Sequence, residues 1–279
     1  MPLTDTVHLT DTVPLTDTVP LTGTGSVDIR CRACGSGRGE VVLDLGPQPA
    51  CDRFPPVGDP GPDPVHPLRM WLCAGCGLAQ LAEDVTVPEE PAGLEPAALV
   101  AQAEAAMDAV AGAGLLPAGS RVREAGSPHG GSWLGSLAGR GLVPVGEDGP
   151  ADVVVDCFGL MHDPDQCGAL ARRVGGIAPG GVLLVQFHSI EAIVRQGQWN
   201  ALRHGHYAYY SATALEAMLG RVGWRARAAW RFDLYGGTVL LAARRAGQGG
   251  PEDGAGGPAS VRELVRGEAA AGVRDPAVV

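Results

Sequence analysis

The chain has 279 residues, 45% of them apolar, and a formal net charge of −10, enough material for one medium-sized domain with a real core and a small one beside it. The negative charge and the lack of a basic cluster exclude nucleic acid and anionic membrane as the main partners, and leave small molecules as the expected ligands. No apolar stretch approaches the ~18 residues of a membrane span, and the first residues lack the charged and apolar regions of a signal peptide, so a soluble, cytoplasmic protein is expected. In that compartment the seven cysteines would be reduced, and paired ones read as metal ligands rather than disulfides.

Residues 1–27 form a low-complexity leader. Within it the hexad Pro-Leu-Thr-Asp-Thr-Val recurs without a core-forming pattern, which predicts an extended, solvated segment without chemistry. Residues 28–94 read as a zinc-binding module framed by Cys31-Arg-Ala-Cys34-Gly and Cys73-Ala-Gly-Cys76-Gly. Each short turn aims two thiolates at one ion, and the following glycine permits the turn's last φ angle. Four sulfurs close a tetrahedral coordination sphere, so a Zn²⁺ ion there would be structural and not catalytic. The long interval between Cys34 and Cys73 predicts a substantial excursion of the chain. Cys51, Cys157 and Cys167 have no partner at ligand spacing and read as core or loop thiols.

Residues 95–119 contain a connecting helix, with Leu99, Val100, Ala103, Met107 and Val110 at helical spacing. Residues 120–245 alternate strand and helix. Strands are predicted at 121–125, 142–146, 152–158 and 181–187, with helices from 132 to 138, 165 to 177 and 212 to 222, and an antiparallel pair at 226–234 and 238–243. That order implies an α/β, doubly wound, mostly parallel sheet with helices on both faces. From 246 to 279 Gly, Pro and Ala dominate, which predicts a flexible, linker-like tail with room for a short amphipathic helix around 260–266.

The first strand ends in Glu124-Ala-Gly126-Ser127-Pro-His-Gly130-Gly131 before the next helix. Its spacing is not that of the dinucleotide fingerprint, in which the acid follows the glycines by about 20 residues. Two readings stand: a plain strand-to-helix turn, or a loop whose glycines let the backbone approach a ligand at a helix N-terminus. The Cys pairs, this loop, Ala151-Asp-Val-Val-Val, Ala178-Pro-Gly-Gly-Val-Leu-Leu-Val, His206-Tyr-Ala-Tyr-Tyr-Ser and Tyr235-Gly-Gly occur in one order over residues 28–245. Together they resemble the zinc-containing C-methyltransferases of deoxysugar and other natural-product pathways, in which an N-terminal zinc module sits beside a class I methyltransferase fold.

The resemblance implies that Glu124, Gly126, Ser127, Gly130 and Gly131 hold the methionine part of S-adenosylmethionine. It implies ribose binding by Glu147 or Asp148 after the second strand. It also places two histidines at family positions: His206 as the candidate base that removes a proton from a carbon beside a carbonyl, and His162 as its assistant. A histidine near its ordinary pKa suits that task. The chain departs from the family in four ways. His-Glu-His reads His204-Gly205-His206, no Tyr-rich motif follows the second Cys pair, the helix, strand and helix that should follow the second strand are missing, and so is the long C-terminal domain. The expected sheet therefore lacks an edge strand and the adenine pocket loses a wall. Two functions follow: a natural-product tailoring enzyme that methylates a carbon of a small biosynthetic intermediate, or a methyltransferase-fold enzyme that no longer transfers methyl and steers cyclisation or isomerisation of a hydrophobic intermediate. A third, non-enzymatic reading makes the zinc module a docking surface for a partner enzyme of the pathway.

Overall fold

The computed structural model describes residues 28–279 apart from 52, 59–60, 87–92, 94, 148 and 249–257. The leader and Asp148 lie outside the described residues.

Two sheets share one body. The first is small and antiparallel. Strand β1 (Gly39–Pro49) pairs with β2 (Val65–Cys73), and β2 pairs with β3 (Ala79–Leu81). The excursion between the two Cys pairs is thus a long two-stranded ribbon, and β2 delivers the chain directly into the second pair at Cys73. After the connecting helix α1 (Ala97–Gly112), β4 (Arg121–Ala125), α2 (Leu134–Gly139) and β5 (Val143–Pro144) begin the second sheet. It continues through β6 (Ala151–Cys157), α3 (Gln166–Val174), β7 (Ile177–His188) and α4 (Ile190–Gln196). The short strand β8 (Ala208–Tyr209) then returns to the first sheet beside β3. Helix α5 (Ala212–Arg221), the strands β9 (Trp224–Phe232) and β10 (Thr238–Arg245), and α6 (Pro258–Ala270) complete the chain.

The larger sheet has the order β5-β4-β6-β7-β10-β9. The β4–β5, β4–β6 and β6–β7 pairs are parallel, and β10 runs antiparallel to both of its neighbours. This is a doubly wound, mostly parallel sheet that stops at β5: among the described residues no strand follows on its outer side. β5 itself is only two residues long, and both are exposed, because an edge strand with one partner has little to bury.

Period-two alternation divides the core. Val153, Val155, Val182, Leu184, Leu240 and Ala242 face α1 and α2, meeting Ala106, Met107, Val110 and Leu137. Val154, Leu183, Val185, Leu241 and Ala243 face the other way and pack with Leu170, Leu215, Leu219, Val261 and Leu264 of α3, α5 and α6. Burial on both faces explains the nearly unbroken apolar runs of β6 and β7.

Residues 258–279 correct the expectation of a flexible tail. Val261 and Leu264 are buried against the sheet, and Val273 and Val279 are buried beside Leu68, Met70 and Tyr209. Their Gly/Pro-rich surroundings hide an amphipathic helix whose apolar positions recur at helical spacing.

Candidate active site and zinc centre

The two Cys pairs are built alike. In the first, Gly35 N–H donates to Cys31 O and Cys31 N–H to Ser36 O; in the second, Gly77 N–H donates to Cys73 O and Cys73 N–H to Leu78 O. Gly35 and Gly77 have φ of +74° and +79°, where a side chain would be strained. The four thiols Cys31, Cys34, Cys73 and Cys76 converge, with Sγ–Sγ distances of 3.5 Å for Cys31–Cys76 and 3.6 Å for Cys34–Cys73. A tetrahedron of Zn–S bonds near 2.3 Å has edges of about 3.8 Å, so the donor set fits a closed, structural zinc site. The backbone N–H groups of Cys34 and Cys76 point at Cys31 Sγ and Cys73 Sγ, 3.4 and 3.5 Å away, as partners for thiolate charge.

The module is fused to the larger sheet. Its cysteines share a core with Tyr210, Ala212 and Phe187, Leu81 N–H donates to Tyr207 O, and the imidazole Nε2 of buried His204 lies 3.1 Å from Pro67 O. His204 is thereby committed to joining the two parts.

A cavity of about 590 Å³ opens where β4, β6 and β7 end, the edge at which doubly wound sheets bind ligands. Glu124, Ser127, Gly130 and Gly131 line it. Gly130 and Gly131 take φ of +81° and +79°; a Cβ on Gly131 would stand 2.8 Å from the Glu95 carboxylate, which rests on the loop. Gly126 has an ordinary φ and serves differently. Its carbonyl oxygen would be 2.7 Å from a Cβ on Gly159, so the loops after β4 and β6 touch only because residue 159 is glycine.

The expectation of an open helix N-terminus here is corrected. Glu124 Oε1 accepts Trp133 N–H at 2.8 Å, its Oε2 accepts Ser132 Oγ–H at 2.6 Å, and Ser132 Oγ accepts Leu134 N–H at 3.1 Å. The first two N–H groups at the start of α2 are thus already taken up by side chains. Together with Glu95, Glu124 gives this end of the cavity anionic character. Glu147 is exposed beyond β5, does not line the cavity, and uses its backbone carbonyl to accept the Arg123 guanidinium at 2.7 Å.

His162 and His206 meet in the cavity, and His129 from the glycine loop joins them. Ring centroids are 4.8 Å apart for His162–His206 and for His129–His162, and 6.1 Å for His129–His206. Neighbouring groups hold the two turns that carry them. Asp156, fully buried and ion-paired with Arg173, accepts Leu160 N–H at 3.0 Å. Gln166 Nε2 donates to Leu160 O at 2.9 Å, and the Tyr210 hydroxyl donates to Gln166 Oε1. Tyr207 N–H donates to Met161 O at 2.8 Å, and His162 Nδ1 lies 3.2 Å from Gly205 O. Gly205 has φ of +83°, a left-handed backbone that suits glycine and that a glutamate there would strain. Burial lowers the pKa of all three histidines. His162 falls to about 4 and His206 goes well below its ordinary value, each also repelled by a neighbouring imidazole. All three are neutral at pH 7.

Several lining residues carry no sequence expectation. His188 ends β7 and packs its ring 5.9 Å from Tyr235; Phe158 packs 6.0 Å from the same tyrosine. Phe158 and Tyr235 have φ of 60° and 54°, a strained conformation that concentrates at functional sites. Spacing marks neither. The position of Phe158 and His188 at strand ends is the signal that could have found them. His129 sat in view inside the glycine loop, without a partner in sequence to suggest a role.

Residues 31–90 match the family model Methyltransf_13, described as "Putative zinc binding domain". A comparison with curated proteins gives no significant match. Among solved structures, the chain is similar to the mitomycin 7-O-methyltransferase MmcR (21% identity, TM-score 0.33), with 41% of this chain and 37% of that chain covered. It spans little more than a third of that enzyme. It is also similar to magnesium protoporphyrin IX methyltransferase (ChlM) from Synechocystis PCC 6803 with bound SAH (11% identity, TM-score 0.37, 55% and 90% covered). A third is NcsB1, an O-methyltransferase from neocarzinostatin biosynthesis in complex with SAM and 2-hydroxy-5-methyl naphthoic acid (16% identity, TM-score 0.31, 40% and 36% covered). Among the described residues no helix is long and apolar enough to cross a membrane.

Proposed function

We propose that this chain, in which a zinc-binding module precedes a methyltransferase-like sheet, methylates a carbon of a small biosynthetic intermediate with S-adenosylmethionine. The observation that carries the reading is the cavity at the strand edge, bounded on one side by the glycine loop and on the other by the histidine cluster. S-adenosylmethionine supplies an electrophilic methyl group on a sulfonium. The loop residues Gly130 and Gly131 line the cavity where its methionine end would lie, and the carboxylates of Glu95 and Glu124 suit its ammonium and sulfonium charges. At the other side His206, with His162 beside it, lines the cavity as a neutral imidazole and is our candidate to accept a proton from an acceptor carbon next to a carbonyl, as a weaker base than an ordinary histidine. The apolar lining from Met161, Phe187 and Ile193 suits a hydrophobic substrate.

The reading is tested by calorimetry with S-adenosylmethionine and S-adenosylhomocysteine on zinc-loaded protein, followed by transfer of a labelled methyl group to pathway intermediates. Absence of both binding and transfer overturns it. One observation favours a second reading. The two-residue β5 and the outward position of Glu147 leave the ribose and adenine end poorly walled, which fits a scaffold that binds the intermediate and promotes cyclisation or isomerisation without methyl transfer. Turnover that survives complete removal of the cofactor supports that second reading.

A further inference from the structure

We propose that His129, His162 and His206 form a second metal site, distinct from the four-cysteine centre, that holds a divalent transition-metal ion inside the cavity with open coordination positions facing the substrate.

Three observations carry it. The side-chain nitrogens available for ligation all lie within 4.8 Å of one another. An ion with bonds of about 2.1 Å needs its ligand nitrogens roughly 3.4 Å apart, so a small inward rotation of the rings completes the site. The tautomer of His162 is set by its neighbour: Gly205 O can only accept, so Nδ1 carries the proton and Nε2 is the nitrogen with the lone pair. A backbone carbonyl behind a ligating histidine is the usual way such a ring is oriented. Finally, both ring nitrogens of His206 are buried without a hydrogen-bond partner. A buried imidazole in that state is unfavourable unless something not yet present satisfies it, and an ion bound to one nitrogen is the simplest such group.

The donor set defines the ion. Three imidazoles favour zinc, iron, cobalt, nickel or copper over calcium or magnesium, which prefer oxygen ligands. Three protein ligands, unlike four, leave positions for water or a substrate oxygen. The ligands come from the loops after β4 and β6 and the loop before β8, so an ion here would also clamp the glycine loop to the histidine turns. Ligation and the proton-acceptor role of His206 exclude one another in the same molecule, and metal analysis decides between them without reference to methyl transfer.

The test uses the full chain, loaded with Zn²⁺ or Co²⁺ and freed of excess metal. Elemental analysis of the wild type should give a second equivalent of metal beyond the cysteine-bound one. His206→Gln and His129→Ala should each lose that second equivalent while keeping the first. With Co²⁺, the cysteine site shows intense thiolate charge-transfer bands, and the histidine site adds weaker d–d absorption without them. A single equivalent in the wild type, unchanged in the variants, overturns the proposal. Should the variants fail to fold, the wild-type Co²⁺ titration decides alone: a second phase lacking charge-transfer growth supports the site, and one phase overturns it.

Discussion

Asp84 of the zinc module accepts the backbone N–H of Gly205 at 2.7 Å, one residue before His206. Its other oxygen accepts the N–H and hydroxyl of Thr86 at 2.8 and 2.6 Å. One carboxylate therefore fixes a turn in the module and the turn that aims a cavity histidine. Replacing Asp84 by Ala leaves Gly205 N–H without its partner, a loss of about 1–2 kcal/mol. The expected result is a modest fall in Tm with a larger loss of ligand affinity in the cavity, measured by thermal denaturation and calorimetry on the same samples. An equal affinity in variant and wild type would show that the module does not position the histidine turn.

The module's dependence on its ion is the second prediction. Its cysteines are part of the same apolar cluster as Tyr210 and Phe187, so opening the centre exposes core that belongs to both sheets. Cys73→Ser should lose the structural zinc and destabilise the whole chain by about 3 kcal/mol or more, a Tm decrease of roughly 6–12 °C. Chelation of the wild type should reproduce the loss, and restored zinc should reverse it. A domain that melts unchanged while the module alone unfolds would refute the shared core.

The zinc ligands and the alternating strands were legible because each is a local code: two thiols three apart, or apolar residues at a fixed period. Arg121–Ala125 ends where its pattern ends. The strands of the module were not legible, since β1 alternates only half-buried and exposed positions and carries Gly and Pro, and its pairing with β2 is irregular, with two register shifts. The same limit hid the third histidine. His129, His162 and His206 are brought together by the parallel register of β4 and β6 and by the β3–β8 pairing, neither of which is written in the spacing between them. Glu124 shows another limit: that it accepts Trp133 N–H and the Ser132 hydroxyl depends on how tightly the loop turns, which its spacing does not reveal.

Gly159 provides the third prediction. A Cβ there would meet Gly126 O at 2.7 Å, Asp156 Oδ2 at 3.2 Å and Ala125 O at 3.3 Å, and backbone oxygens cannot rotate away. Gly159→Ala should push the loop after β6 off the glycine loop, with a cost of about 1–3 kcal/mol and weakened binding of any ligand that spans both. Gly135→Ala is the control, because its Cβ would meet nothing within 4 Å in the exposed face of α2. It should stabilise by about 0.5–1 kcal/mol. Denaturant midpoints of the pair should move in opposite directions.

Asp152 gives a pH prediction. Arg121 holds it by two guanidinium bonds, Nε to Oδ2 at 3.0 Å and Nη2 to Oδ1 at 2.8 Å, and by its backbone N–H at 2.9 Å, and these partners lower the carboxyl pKa to about 2. A carboxyl depressed in the folded state releases its proton there first, so its stabilising contribution is complete above the unfolded pKa near 4 and is lost as pH falls through 2. The pair is more than a third exposed, so solvent screening keeps the contribution small. Asp152→Asn should lower Tm slightly at pH 7 in low salt, and the two curves should converge between about pH 4 and pH 2. A gap that widens on acidification would have the wrong sign for this pair.

Glu268 is the residue through which the C-terminal segment acts on the sheet. Fully buried, its carboxylate accepts Ala212 N–H at 2.6 Å, Thr213 N–H at 2.9 Å and the Thr213 hydroxyl at 2.7 Å, at the start of α5. Ser211 caps the same helix by accepting Ala214 N–H at 3.0 Å, so the two residues satisfy successive donors of one helix end. α5 in turn presents Leu215 and Leu219 to the sheet. Glu268→Ala should therefore cost about 2–3 kcal/mol, more than an exposed cap. Deleting residues 258–279 should be worse, because it also uncovers the sites of Val261 and Leu264. Hydrogen exchange should then show faster exchange at Ala212 and Thr213 in the point variant, with the amides of β4 and β6 unchanged. Wild-type stability in the deletion would mean that the helix merely rests on the surface, and that α5 keeps its start without it.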